Sequence, residues 1–136
     1  MEKLKEELER AGKIHGHICP SLFYGVSLAL KLKSLIASIA SSECHIVLEG
    51  KSICIQDGVK SVFRDLAQVE IKDTGECAIG AFFNHIQYRV RLLDAVRAKI
   101  NELNRTYPLP EFQKKGVAYL FTLKEDALFT TETQRQ

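Results

Sequence analysis

The longest apolar stretch of the chain, residues 20–40, most constrains what the sequence can fold into. Leu22, Val26, Ala29 and Leu32 follow helical spacing, and further apolar side chains make the predicted helix hydrophobic nearly all round. Such a helix lies in the middle of a fold or in an interface between chains. The stretch is long enough to span a bilayer, but its lysines and serines favour a buried helix of a water-soluble protein, without membrane association.

Gly25 lies inside this predicted helix. A glycine there costs about 1 kcal/mol relative to alanine, so its presence indicates that another element packs closely against the helix. We expect a tight contact between elements at this position rather than a ligand contact.

The hexapeptide His15-Gly16-His17-Ile18-Cys19-Pro20 comes directly before the apolar stretch. Pro20 disfavours the α conformation for Cys19 but is common as the first residue of a helix. We therefore predict an extended or turning segment over 15–19, a helix from Pro20, and Cys19 at its cap. In an extended segment the three metal-binding side chains at i, i+2 and i+4 point to the same side. Helix N–H groups near Cys19 would favour its thiolate.

Length and charge limit the classes of function. The 136 residues, 1–136, predict one domain with a substantial core. A net charge of +2 with no basic stripe argues against nucleic-acid binding. The charged N-terminus has no apolar core of a signal peptide, so we expect a cytoplasmic protein. In a reducing compartment the four cysteines favour metal binding or thiol chemistry over disulfides.

The remaining periodicity predicts an α+β fold. A helix over 2–13 ends near Gly12, and a turn at Asn84-His85 joins two of the later strands. Pro108 and Pro110 end a later helix, and residues 124–136 form a tail with a small apolar island. The other predicted elements are a strand over 45–49, a helix over 53–66, strands over 68–72, 77–83 and 86–92, a helix over 93–105 and a last strand over 117–123. The helix between the first two strands allows them to pair in parallel, which gives a mixed sheet with helices on one face.

At this point the motifs resemble a known family. The pattern H-G-H-x-C-P before an apolar, glycine-containing helix is similar to the opening signature of the FmdE family, which takes its name from one of the subunits of formylmethanofuran dehydrogenase. Glu49, Cys54 and Asp57, in E-x4-C-x2-D, resemble the second motif of that family. The resemblance implies an α-β-α-β-β-β core with a mixed sheet, related to the catalytic domain of glyceraldehyde-phosphate dehydrogenase. Ser21 replaces the usual glycine, and the C-terminal zinc ribbon of some members is missing, which indicates a divergent single-domain member.

The resemblance and the predicted position of Cys54 at a helix start indicate that Cys54 binds the same metal as His15, His17 and Cys19. His15, His17, Cys19 and Cys54 offer two imidazoles and two thiolates, a set that suits Zn²⁺, with Fe²⁺ or Ni²⁺ as alternatives. Four bound ligands would make the site structural. Three would leave a position for water or a small-molecule substrate.

Other polar residues have secondary roles in this hypothesis. Asp57, one turn after Cys54, and Glu49 are candidate catalytic proton shuttles, as is Tyr24 if it faces the metal rather than the core. Cys44 and Cys77 are expected to be small core residues. We predict a solvent-connected pocket over the metal.

Three functions remain open from the sequence. The first is an FmdE-type metal-binding domain, enzymatic or accessory to a molybdenum- or tungsten-dependent oxidoreductase of one-carbon metabolism. The second is a metal-free thiol or redox protein that uses Cys19 and Cys54. The third is an interaction module stapled by a structural metal. We also expect a homodimer, because the apolar helix has more surface than one sheet face covers.

Overall fold

The computed structural model describes residues 2–37, 44–64 and 69–135. Its helices are α1 (Glu2–His15), α2 (Pro20–Leu35), α3 (Ile53–Val62), α4 (Asp94–Thr106), α5 (Leu109–Phe121) and α6 (Glu125–Leu128). Its strands are β1 (His45–Glu49), β2 (Val69–Lys72), β3 (Ala78–Phe83), β4 (Ile86–Leu92) and β5 (Phe129–Arg135). The predicted α+β class is confirmed. Within the described residues, no helix is both long and apolar enough to cross a bilayer.

The five strands form one mixed sheet in the order β2-β1-β3-β4-β5. β1 and β2 are parallel, as predicted, because α3 carries the chain across between them. All other pairs are antiparallel. Asn84 and His85 both have positive φ in the tight turn between β3 and β4, where the sequence predicted a turn.

The two faces of the sheet differ in polarity, as the alternation of residues predicts. One face presents fully buried apolar side chains to the helices, among them Ile46, Leu48 and Ile79. The other face carries Glu49 and Arg89, which form an ion pair across β1 and β4. The helix α2 contacts β3 and β4 on the apolar face and also contacts α1, α3 and α5. The core therefore lies around α2.

Two helix boundaries differ from the prediction. The helix α1 continues past Gly12 to His15, and Gly16, with φ of 106°, follows it. Gly12 is needed instead for packing, since a Cβ there would lie 2.4 Å from Cγ1 of Ile18. The helix α2 ends at Leu35, with Ile36 as its cap, before the predicted end at residue 40. The predicted end of α3 at residue 66 lies outside the described residues.

The strand predicted over 117–123 is wrong, because residues 117–121 are the last part of α5 and Thr122 is its C-cap. Pro108 and Pro110 do not only follow α4 but also begin α5, where proline is favoured in the first turn. Leu109, Phe112 and Leu120 then follow helical spacing. The predicted tail likewise contains α6 and the edge strand β5, whose threonines suit an extended backbone. Its apolar island is buried in the core, at Leu128 and Phe129.

The helices α2 and α3 cross at two glycines. A Cβ on Gly25 would lie 2.2 Å from the carbonyl oxygen of Ile55, and one on Gly58 would lie 2.7 Å from that of Leu22. The predicted tight contact at Gly25 is thus confirmed. Because the backbones meet directly, the N-terminal ends of the two helices are held close together, and Cys19 and Cys54 lie at these ends.

Candidate metal centre and adjoining cavity

The first motif has the predicted turning and extended backbone only from Gly16 onwards. His15, which was predicted in the extended or turning segment over 15–19, is the last residue of α1. Gly16 reverses the chain after α1, and Cys19 is extended, with φ of −137° and ψ of 166°, as the N-cap of α2. Pro20 lies in the first turn of the helix. The segment therefore carries His15 at the end of one helix, His17 in a turn and Cys19 at the start of the next helix.

The structure brings the four predicted ligands together. One donor atom from each of His15, His17, Cys19 and Cys54 lies within 4.8 Å of the other three, so the group could hold a metal ion. Cys19 is buried, His15 and Cys54 are half-buried, and His17 is exposed. The rings of His15 and His17 lie 4.6 Å apart between centroids. Cys19 therefore lies on the inner side of the site, and solvent reaches the site at His17.

His15 is oriented by hydrogen bonds at both ring nitrogens. Its Nδ1 lies 2.5 Å from a carboxylate oxygen of Asp57, and its Nε2 lies 3.2 Å from the sulfur of Cys54. A carboxylate accepts only from a protonated nitrogen, so Nδ1 is the donor and the lone pair of a neutral ring is on Nε2. Nε2 faces the sulfur ligand. This carboxylate–histidine pairing is common beside protein-bound zinc.

The electrostatics of Cys19 differ from the sequence-based expectation. The N–H groups of Leu22 and Ser21 lower the pKa of the thiol, as expected for a helix start. Burial is a larger effect, and Cys54 adds to it, so the pKa is raised to about 11. Without a cation nearby Cys19 is a thiol at neutral pH, which disfavours its use as a free nucleophile.

The described hydrogen bonds of Glu49 are to residues other than the four candidate ligands. Its carboxylate accepts hydrogen bonds from Nε of Arg89 at 2.8 Å and from the hydroxyl of Thr74 at 3.0 Å. The bond from Arg89 is the main reason why the pKa of Glu49 is lowered. A role of Glu49 as a proton shuttle stays a prediction, and its described contacts are those of a structural ion pair on the outer sheet face.

A cavity of about 720 Å³ adjoins the cluster. His17, Cys19 and Cys54 form part of its wall, and Tyr24 of α2 lines it as well. Tyr24 is 7% exposed, and its buried hydroxyl has no hydrogen-bond partner among the described residues. Burial raises the pKa of this hydroxyl, so Tyr24 is a neutral hydrogen-bond donor at physiological pH.

Sequence reasoning missed the part of the cavity wall that α4 and α5 provide. Arg97, Asn101 and Asn104 of α4 line it together with Phe112 and Gln113 of α5. The first three stand at i, i+4 and i+7, so they share a helix face, and this polar stripe was a readable signal. The α5 residues were hidden because their segment was placed outside any predicted helix. Cys77 is buried in the core, as predicted, but also forms part of the cavity wall.

Comparison with known proteins gives a match in structure but not in sequence. No protein-family model matches the chain, and no curated protein matches it significantly in sequence. A crystal structure of a tungsten formylmethanofuran dehydrogenase FmdE-like protein from Syntrophus aciditrophicus superposes with a TM-score of 0.57 at 14% identity. The match covers 98% of this chain and 72% of that one.

The chain has an FmdE-like fold. This fold was expected from the two cysteine-containing motifs, and that expectation is confirmed for the described residues. At 14% identity the likeness concerns the architecture alone, so the chemistry has to be argued from the side chains.

Proposed function

We propose that this chain is a divergent FmdE-type protein that binds one divalent metal ion through His15, His17, Cys19 and Cys54. The single observation that carries the proposal is the orientation of His15. Its Nδ1 is held by Asp57, and its Nε2 is directed to Cys54. A histidine in a purely structural role needs only one such partner, whereas a metal ligand needs its second nitrogen directed at the other ligands.

Zn²⁺ is the ion that fits the donor set best, with Fe²⁺ and Ni²⁺ as competitors. Two thiolates and two imidazoles are common zinc ligands, and the thiolates neutralise its charge. A bound Zn²⁺ would stabilise the Cys19 and Cys54 thiolates, and it would supply Lewis acidity if one coordination position were open to a ligand. Exposed His17 is the ligand most easily exchanged.

The role we propose is the metal-dependent binding of a small molecule in the adjoining cavity. The cavity reaches three of the four ligands, and a purely structural site has no need of it. Asp57 can hold a proton on His15, which it contacts, and Tyr24 can donate a hydrogen bond into the cavity. By analogy with the FmdE-like protein of the same fold, we place this activity beside a molybdenum- or tungsten-dependent oxidoreductase of one-carbon metabolism.

Elemental analysis of protein purified without a histidine tag tests the metal site. We expect one zinc per chain, and we expect that Cys19→Ser and Cys54→Ser each lose it. Full retention of metal in both variants would refute the assignment. Metal-free protein that contains reactive thiols would favour the redox function instead. X-ray absorption that shows four protein ligands at about 2.0–2.3 Å, unchanged by any added ligand, would favour the structural module.

We still propose a homodimer, but fewer residues of α2 support it than the sequence indicated. Most of α2 is buried within the chain, so the argument from its apolar surface holds only for its partly buried residues, such as Leu30 and Leu35. Light scattering at micromolar concentration should give twice the chain mass of 15.3 kDa. A mass near that of one chain would contradict the dimer.

A further inference from the structure

The wall of the cavity beside the metal ligands is chemically mixed. It includes the apolar side chains of Pro20, Ile55 and Phe112, and it also carries the polar stripe of α4 that begins at Arg97. A ligand that fills this cavity therefore needs an apolar body and one polar end. Aromatic and aliphatic walls that bury most of a small ligand, with a few polar groups that orient it, are typical of such sites.

Two donors are available for the polar end of a ligand. The hydroxyl of Tyr24 is buried and lacks a partner among the described residues, and an unsatisfied buried hydroxyl is costly unless a ligand completes it. The guanidinium of Arg97 donates one hydrogen bond, at 3.0 Å, to the carbonyl oxygen of Gly75. In the described part of the chain no other acceptor contacts it, so most of its five N–H donors remain for a ligand.

Arg97 and Tyr24 also belong to one electrostatic neighbourhood. The charge of Arg97 acts on the hydroxyl of Tyr24 and on the thiol of Cys77, opposing the rise in pKa that burial causes in both. A planar carboxylate matches this pair, because it can accept a hydrogen bond from the hydroxyl and one or two from the guanidinium.

The charges around the cavity select a single negative charge. Lys51 pairs with Asp73 at 3.4 Å, and Glu76 lies 3.8 Å from Arg91 of β4, so Arg97 is the cation among the described lining residues that has no carboxylate partner. A site with two thiolates and a divalent cation adds no net charge. A dianion such as a phosphate monoester would meet the two carboxylates with one uncommitted cation to offset it.

We propose that the cavity binds a small monocarboxylic acid with an apolar body, whose carboxylate is held by Tyr24 and Arg97 and whose other end points towards the metal ligands. This inference deepens the proposed function, since it names the ligand class of the same site. The carboxylate is held by residues of α2 and α4 that are not metal ligands, so the two proposals can fail independently.

The experiment is a calorimetric titration of zinc-loaded protein with benzoate, in parallel with benzamide and phenyl phosphate. Benzoate should bind with a Kd of about 1 mM or lower, as expected for a ligand of this size. The neutral amide and the dianionic phosphate should each bind at least about fivefold more weakly. Equal or tighter binding of phenyl phosphate would overturn the choice of a monocarboxylate, and absence of saturable benzoate binding would overturn the inference as a whole.

Variants locate the binding site. Arg97→Gln should weaken benzoate binding about tenfold and Tyr24→Phe about fivefold, because each removes a donor to a charged acceptor. The matched controls are Arg105→Gln, in the same helix but outside the cavity wall, and Tyr88→Phe on β4. These controls should leave the affinity unchanged. Unchanged affinity in Arg97→Gln and Tyr24→Phe, with melting curves showing folded protein, would refute the assigned residues.

Zinc content is measured on every sample, so that the two proposals are separated. Stoichiometric zinc with no benzoate binding would refute the carboxylate site and leave the metal site standing. Absence of zinc would refute the metal site, and the titration of that metal-free protein would then decide the carboxylate site by the same Arg97→Gln and Tyr24→Phe comparison.

Discussion

Asp57 and Glu49 belong to one sequence motif and were both candidate proton shuttles, but the structure gives them different partners. Asp57 lies on α3 and holds Nδ1 of His15, whereas Glu49 lies at the end of β1 and pairs with Arg89 on the outer face of the sheet. The difference lies in the element that carries each residue. Helix α3 packs against α1 and α2, while the alternation of β1 places Glu49 on the face that is opposite to Ile46 and Leu48. Residues that are close in a motif thus belong to one site only if their elements point them there.

The largest effect on zinc affinity is expected from removing the sulfur of Cys54, which lies on α3 with Asp57. Zinc affinity should fall about 100- to 500-fold in Cys54→Ser, since one of four ligands accounts for roughly a quarter of the ~10–16 kcal/mol typical of structural zinc binding, and about 1.4 kcal/mol corresponds to a tenfold change. Competition with a chromogenic chelator measures the change. Cys44→Ser, a buried cysteine outside the cluster, is the control and should retain its zinc affinity. A change of less than about tenfold in Cys54→Ser would mean that the sulfur is not a ligand.

The next prediction tests whether the crossing of α2 and α3 holds Cys54 and Asp57 in position for the metal site. Gly25→Ala inserts a Cβ only 2.2 Å from a backbone oxygen of α3, so the helices must separate. We expect a loss of about 3 kcal/mol in the free energy of unfolding, together with weaker zinc binding. Urea unfolding and chelator competition measure both, and Ser34→Ala, exposed on the same helix, is the control. Unchanged stability would show that the crossing is adaptable.

Comparing Asp57→Asn with Glu49→Gln tests most directly whether the two carboxylates have different roles. Zinc affinity should fall about 10- to 100-fold, because the amide cannot hold the protonated Nδ1 of His15 as a carboxylate does. Glu49→Gln should leave zinc affinity unchanged. If both substitutions weakened zinc binding equally, the contrast between the two regions would be wrong, and Glu49 would belong to the site.

The smallest effect concerns Glu49 itself and depends on pH. Its pKa is lowered by Arg89, so the ion pair stabilises the folded state above the pKa of an unfolded glutamate. That contribution is lost as the pH falls through the lowered pKa of the folded state. Glu49→Gln should therefore cost about 1 kcal/mol near neutral pH and much less once the pH is below that value. Urea unfolding at several pH values measures this, and an equal loss at all of them would exclude the ion pair as the cause.

The N-terminal half of the fold and the metal cluster could be predicted from the sequence. Pro20 was sufficient to predict the start of α2 and the extended backbone of Cys19, because that constraint is local. The i, i+2, i+4 argument did not describe His15, which lies in α1, and Cys54 was added from the family resemblance and its position at a helix start. The C-terminal half was partly mispredicted, since Pro108 and Pro110 mark either the end of one helix or the start of another. The polar stripe of α4 could be read from the sequence, but its place in the cavity wall beside α2 and α5 could not, because the relation of these helices depends on tertiary packing.

All four candidate ligands and Asp57 lie within the first 57 residues of the chain. They are carried by three helices that contact one another, α1, α2 and α3, and by the turn between the first two. During synthesis the N-terminal part of a chain leaves the ribosome first, so these helices are complete before β3, β4 and β5 exist. The candidate ligands are thus available early, and an ion bound at that stage would join three helices while their apolar sheet partner is still being made. If the proposed site takes up zinc, the supply of zinc during translation, and not only in the finished protein, would affect how much of this chain reaches its folded state.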